Sequence, residues 1–478
     1  MKRALFPLLL LLALTSFAVC GFAAPAAETD AAALDHYLAA GAPLPAWTQT
    51  PGIEAALAAE AASQGLNLAL PPMTEEQTPA QRRMLAALRF ARALAQGAVR
   101  PDMVQPDWTI PVPPFDAEAA LQRLAASDDP LPWLRSLAPR QEDYQRLRQA
   151  LALYRGFARG GWPLLPNGPL LKPGAADPRL PLLRSRLILE GDLAVNAGRS
   201  TIFDAATQQA LRRFQRRHGL AVDGRLGGAT LAALNVSAEA RARQIAANLE
   251  RWRWLPRALP DDRIVVNAAA AGLSLVKSGE TALRLRVIVG TPLHPTPVLA
   301  ARIVSLLLNP PWDIPSSIAA KEIRPRARRD PDYLVREGIV PHGGGLRQLP
   351  GPKNALGDLK FEMPNPLDVY LHDTPDKRLF DRVPRFFSHG CVRLEHPQEL
   401  AMLLLLQDAT AAARLEPAIA AGTTRRLPVT PTIPIYVLYF TAAAEGNGTV
   451  MLYDDLYDRD APLIAALLPD APPIDARP

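Results

Sequence analysis

The sequence predicts a multidomain α+β chain, helical through its N-terminal half and mainly β after it. Three observations carry this. At 478 residues the chain is too long for one compact core, so two or three domains are expected. Apolar residues recur at helical spacing up to about Trp254 and alternate beyond it. Its 49 prolines supply breaks, such as Pro111-Val-Pro-Pro114, between the periodic segments. A hydrophobic content of 49% and a charged content of 21% fit an ordinary globular protein. The net charge of +6, which falls to +4 without Lys2 and Arg3, suits an anionic polymer. No basic tract interleaved with aromatic residues is present, which argues against nucleic acid as a partner.

Met1-Lys2-Arg3 followed by the apolar run Ala4 to Val19 reads as a signal peptide, with Ala24-Pro25-Ala26 offering the small-x-small cleavage pattern. Residues 1–26 are therefore assigned to a leader, and the mature chain is expected in the periplasm. An uncleaved anchor, the one route to the membrane, and lipidation at Cys20 are the alternatives. The apolar run is short for a full span, and Phe17-Ala18-Val19 is a poor lipidation signal. With Cys20 in the leader, the exported chain keeps Cys391 alone. A lone thiol in an oxidising compartment points to chemical use over packing.

The elements follow in order. Residues 27–175 form a helical region, with helices expected over Ala55–Ala62, Pro79–Gln96, Ala117–Ala126 and Asp143–Phe157. Gly160 to Pro181 is dense in glycine and proline and reads as an extended linker. Residues 176–236 hold three short helices, Leu182–Ile188, Asp204–His218 and Gly228–Asn235, with Asp204 as N-cap. Residues 237–262 connect onward through an amphipathic helix, Ser237–Trp254. The period then becomes alternating. Strands are expected over Arg263–Asn267, Leu273–Val276, Leu283–Gly290, Ile303–Asn309, Asp368–His372 and Ile433–Phe440. This places a mainly β domain over 263–442, interrupted at about 315–348 by a basic, partly helical segment that reads as a mobile lid. A helix over Pro397–Gln407 follows the cysteine, and residues 443–478 form a hairpin and tail.

Phe387-Ser388-His389-Gly390-Cys391-Val392-Arg393 is the densest chemical text in the chain. A thiol attacks as thiolate, so Cys391 needs a base. His389 lies two residues away, and His372 lies on a separate strand-like stretch, VYLHD, where Asp373 stands ready to orient it through its carbonyl or side chain. Gly390 leaves room for the N–H groups of Gly390 and Cys391 to converge on a developing oxyanion. Arg393 is a candidate for carboxylate recognition. The competing reading is a metal site of His372, His389, Cys391 and His396, which the close spacing of His389 and Cys391 disfavours. No metal is expected.

The stretch from His372 to Cys391 resembles the L,D-transpeptidase signature: a histidine, a gap of mid-teens length, then Ser/Thr-His-Gly-Cys. Asp204 to Leu234, with FQRRHGL, Asp223-Gly224 and Gly227-x-x-Thr230, is similar to a three-helix peptidoglycan-binding domain. NLERWRWLP (248–256), Asn309-Pro-Pro-Trp312, SIAAKEI (317–323) and PGPKNALGDLKF (350–361) resemble the large, lid-bearing subfamily of Gram-negative periplasms, and GGWPLLP resembles its scaffold domain. The likeness covers most of residues 80–460. Two departures stand out: Arg393 replaces the Asn of smaller family members, and Ala268-Ala-Ala-Ala271 stands where a proline and an aromatic are common.

The resemblance implies Cys391 as nucleophile and His372 as general base, with Ser388, His389, Gly390 and Arg393 completing the motif, and no cofactor. It implies acyl transfer between peptidoglycan stem peptides giving a 3→3 cross-link, with cell-wall synthases as candidate partners. Tyr370, Trp312 and the lid from Lys321 to Arg329 are candidates to close over the donor, and Asp373 to contact it. An L,D-carboxypeptidase using water as acceptor and a non-catalytic wall-binding protein are the alternative readings.

Overall fold

The computed structural model describes residues 24–68, 77–198 and 200–469. Cys20 and nearly all of the expected leader lie outside these residues, as does the end of the C-terminal tail. No helix among the described residues is long and apolar enough to cross a membrane.

Local sequence sets most helix bounds. Pro79–Gln96 forms as expected: Thr78 and Gln81 close a capping box, Pro79 opens the first turn, and Gly97 ends the helix at φ 98°. Its apolar face packs Met84, Leu88, Phe90 and Leu94 against Leu57, Leu121, Tyr144 and Leu147, giving the helical region one core. The helices Ala24–Ala39 and Ala409–Ala420 were not expected from periodicity. Both are alanine-rich, so they have helix propensity without a legible apolar stripe.

In the second region the helices Leu180–Leu189, Ala205–Arg217 and Gly228–Asn235 pack through Leu183, Leu187, Phe203, Leu211, Phe214 and Leu234. Asp204 caps the middle helix by accepting from the Thr207 N–H at 2.9 Å, and these bonds hold its carboxyl at about 2. Gln215 pins the Asp223-Gly224 turn, accepting from the Gly224 N–H at 2.8 Å and donating to Asp223 Oδ1 at 2.8 Å.

Ser237 caps the next helix, Ala238–Arg253, whose surroundings differ from the expected half-exposed face. Nearly every residue in it is buried, because it runs between the helical region and the β domain as a shared strut. Several of its polar residues find partners in both regions. Arg253 pairs with Glu250 at 2.6 Å and donates to Gln64 O at 2.9 Å and Tyr144 Oη at 3.0 Å. Arg251 pairs with Asp460 at 2.6 Å, and Asn248 donates to Thr441 Oγ1 at 2.8 Å. The NLERWRWLP stretch thus joins the regions of the chain.

The β domain contains β1 (Arg263–Asn267), β2 (Gly272–Lys277), β3 (Glu280–Gly290), β4 (Leu299–Leu308), β5 (Trp312–Ile314), β6 (Ile339–His342), β7 (Gly345–Gln348), β8 (Leu359–Glu362), β9 (Leu371–His372), β10 (Phe386–Ser388), β11 (Val392–Leu394), β12 (Arg425–Leu438), β13 (Ala442–Ala444) and β14 (Val450–Leu452). The main sheet runs β10-β3-β11-β9-β8-β4-β12-β1-β2, and β2 also pairs with β3, closing it on itself. Ser278 and Gly279, at φ 51° and 81°, make the tight β2–β3 turn. The alanines 268–271 form the short turn between β1 and β2, where Ala268, Ala269 and Ala271 are buried.

β9 is shorter than the expected Asp368–His372. Asp368 adopts φ 50°, and Asn365 folds the preceding loop by accepting from the Leu367 and Val369 N–H groups. The lid is a folded subdomain: β5-β7-β6 form a small sheet over a core of Ile314, Ala319, Ile323 and Ile339. Two motif asparagines fasten its base. Asn309 donates to the carbonyls of Ala418, Ile419 and Thr423, and Asn354 to those of Pro310 and Leu349.

Candidate active site

Strands β8, β9 and β11 lie side by side, and alternation sorts their residues onto two faces. Leu359, Phe361, Leu371, Val392 and Leu394 point into the core and are fully buried. The other face carries the chemistry. His372 is the register partner of Lys360 on β8 and of Arg393 on β11, so the imidazole sits between two cations. One step along, Cys391 enters β11 level with Tyr370, and the Val392 N–H donates to Tyr370 O at 3.1 Å. Cys391 and His372 are therefore diagonal neighbours on adjacent parallel strands, and the sulfur lies 3.9 Å from the Asp368 carbonyl.

His372 Nδ1 lies 2.5 Å from the Asp373 carbonyl. A carbonyl only accepts, so Nδ1 carries the proton and Nε2 is left as the acceptor. Burial pushes the imidazole down to about 3; Arg393 and Lys360 add to this, and the Asp373 carbonyl opposes it. Burial also pushes the Cys391 thiol above its ordinary value, with Tyr370, Lys360 and Arg393 pulling it back. At neutral pH the pair rests as thiol and neutral imidazole, so the proton has to move as the sulfur attacks.

The nucleophile loop is braced from within and below. Gly390 adopts φ 113°, which favours glycine whatever the space around it. Ser388 is buried; its hydroxyl donates to Cys391 O at 2.5 Å and accepts from the Gly390 N–H at 3.1 Å. Ser388 therefore contacts the loop itself, and the Gly390 N–H is committed there instead of facing an oxyanion. The Cys391 N–H has no acceptor among the described residues. Sequence reasoning missed Thr296, fully buried on the loop before β4. Its hydroxyl accepts from the Gly290 N–H at 2.9 Å and donates to Gly390 O at 2.8 Å. A trans peptide sends C=O and N–H in opposite directions, so holding Gly390 O aims the Cys391 N–H away from Thr296.

The lid meets this loop at two places. Glu322 lies in a π-helical stretch, Ala319–Ile323, and its carboxylate is 2.7 Å from His389 Nε2. His389 is thereby turned to the lid, with His294 5.0 Å away between ring centroids. Trp312 bonds the Tyr370 hydroxyl, which also contacts the Cys391 sulfur; burial and that sulfur push the phenol upward. The Tyr370 ring stands 5.6 Å from His372 and carries Lys360 Nζ 3.9 Å above it. The Asp373 carboxylate points elsewhere, taking Lys377 at 2.5 Å and the Asp358 N–H at 3.0 Å. His396 turns to Glu395, so the four residues of the metal reading do not converge. Lys360 also escaped sequence reasoning; its one legible trace is a cation alternating with Leu359 and Phe361.

The chain is similar to known proteins over three of its regions. Residues 261–425 match the model of the L,D-transpeptidase catalytic domain, residues 82–151 a scaffold domain, and residues 178–234 a peptidoglycan-binding domain. A curated relative from Haemophilus influenzae, provisionally named an L,D-transpeptidase, is 32% identical over 238 residues, 45% of this chain and 48% of the relative. The chain thus spans about half the length of that relative. Among solved structures, an L,D-transpeptidase from Stackebrandtia nassauensis is 16% identical, covering 51% of this chain and 91% of its own, with a TM-score of 0.23. One from Mycobacterium smegmatis is 16% identical over 37% of this chain and 58% of its own, with a TM-score of 0.22.

Proposed function

We propose that this chain, in which a scaffold domain and a peptidoglycan-binding domain accompany an L,D-transpeptidase catalytic domain, forms 3→3 cross-links in peptidoglycan through a Cys391 acyl-enzyme. The observation that carries the reading is the row on β9 and β11: a half-buried thiol beside an imidazole whose Nδ1 is fixed and whose Nε2 accepts.

In the first step His372 Nε2 takes the thiol proton while the sulfur bonds to the carbonyl between the L-centre and the terminal D-alanine of a tetrapeptide stem. The Cys391 N–H receives the negative charge on oxygen. Collapse breaks the C–N bond, His372 returns the proton to the leaving nitrogen, and D-alanine departs from a thioester. The side-chain amine of diaminopimelate on a second stem then attacks the thioester. His372 takes its proton, and the sulfur leaves as thiol. The lid, carrying Trp312 and Glu322 onto the cleft, would exclude water from the thioester. Export to the periplasm follows from the substrate and from the leader read at the N-terminus.

The purified protein with tetrapeptide stems tests this by mass spectrometry. Cross-linked dimers are expected. Tripeptide without dimer would make water the acceptor, and no consumption of stem would leave a wall-binding protein.

A further inference from the structure

We infer that Lys360 and Arg393 together clamp the free carboxylate of the residue that leaves in the first step, so that the donor is recognised by its terminal carboxylate. The inference rests on the acyl-transfer reading above and adds the ligand group and the side chains that hold it.

The two cations bracket His372 in register on one face of the sheet. Neither has a carboxylate within 4 Å among the described residues, and neither is satisfied by its acidic surroundings. Asp376 and Glu322 act on Arg393 from further off, and Glu322 is paired with His389. Asp313 and Glu362 act on Lys360, but Arg347 holds the first and Arg426 the second. Arg393 Nε is buried without a hydrogen-bond partner. A desolvated guanidinium kept unpaired is costly, and a cleft that keeps one beside its nucleophile is built for an anion.

The base identifies which anion. His372 has to reach the leaving nitrogen, and in an α-amino acid the carboxylate is two bonds from that nitrogen. Groups flanking the imidazole on either side are placed for it; carboxylates on the acyl side of the scissile bond lie further away. A guanidinium and an ammonium suit one carboxylate, the first through paired N–H donors and the second as a point charge. Two nearby positive charges oppose protonation of His372. A carboxylate bound between them offsets that opposition, so the base is strongest when the right donor is in place.

The experiment compares acylation of Cys391 by two tetrapeptide donors, one ending in a D-alanine carboxylate and one in the D-alanine carboxamide, followed by intact mass. Wild type is expected to prefer the carboxylate by about 10- to 100-fold, the range for one charge-assisted hydrogen-bonded contact. In Lys360→Met and Arg393→Met the ratio should collapse toward one, and Lys360→Arg should restore most of it; thermal melts confirm that each variant is folded. Equal use of both donors by wild type, or an undiminished preference in both methionine variants, overturns the clamp. Failure of both donors to acylate wild type would instead sink the acyl-transfer reading, and the clamp with it.

Discussion

Arg253 is fully buried and Arg393 partly buried, and their surroundings differ. Arg253, in the strut helix, meets Glu250, Gln64 and Tyr144, and Glu250 also accepts from the Val99 N–H at 2.7 Å. Arg393, in the cleft, faces a neutral imidazole and a thiol and has no ion pair among the described residues. In the strut, the Glu250–Arg253 and Arg251–Asp460 pairs join parts of the chain, while Arg241 in the same helix is buried without an ion pair among the described residues. In the cleft, Arg393 stands beside Cys391 and His372, where a ligand is expected to complete it.

The largest effect should come from the nucleophile. Cys391→Ala is expected to remove all acyl transfer and all mass gain from a thiol-directed acylating probe, with the melting curve unchanged; residual transfer would move the chemistry elsewhere. Next, Glu250→Ala should strand Arg253 and cost about 3–5 kcal/mol in denaturant unfolding, as removing one partner of a buried pair does. Arg393→Met should leave stability near wild type, and a comparable loss there would erase the contrast between the two regions.

His372→Ala should slow acylation by about 100-fold or more, the contribution of a positioned base, while His389→Ala, whose ring turns to the lid, should cost far less. A near-normal His372→Ala rate would return the role of base to His389. Thr296→Val should lower the acylation rate by about tenfold through loss of the bond holding Gly390 O, with Thr296→Ser close to wild type. The subtlest test is pH. Because the imidazole is pushed down to about 3, it remains neutral and able to accept a proton well below the usual histidine range. The acylation kcat/KM should stay level from about pH 8 to pH 5, where an ordinary histidine base would lose activity through about 6.5. An acid limb near 6.5 would mean the free site is wetter than its burial implies.

The helices over Pro79–Gln96 and Ala205–Arg217 were legible because caps and periodicity lie within the segment itself. Cys391 and His372 stood out as candidates because few residue types do such chemistry and their spacing resembles a known signature. The burial of Ala238–Arg253 was not legible, since charged positions read as exposed until their partners, up to 209 residues away, are known. For the same reason Asp373 reads as a contact for the donor, whereas its carboxylate is taken up by Lys377 and the Asp358 N–H.

By itself, then, the sequence determined the order of regions, the bounds of the well-capped helices and the candidacy of Cys391 and His372, because each depends on neighbouring residues or on intrinsic reactivity. Only the tertiary structure decided which face of β8, β9 and β11 meets the cleft, that Lys360 flanks His372, that Thr296 holds the loop, and that His389 turns to Glu322. Those facts depend on strand register and on groups brought together from distant parts of the chain, and register is fixed only when the whole sheet closes.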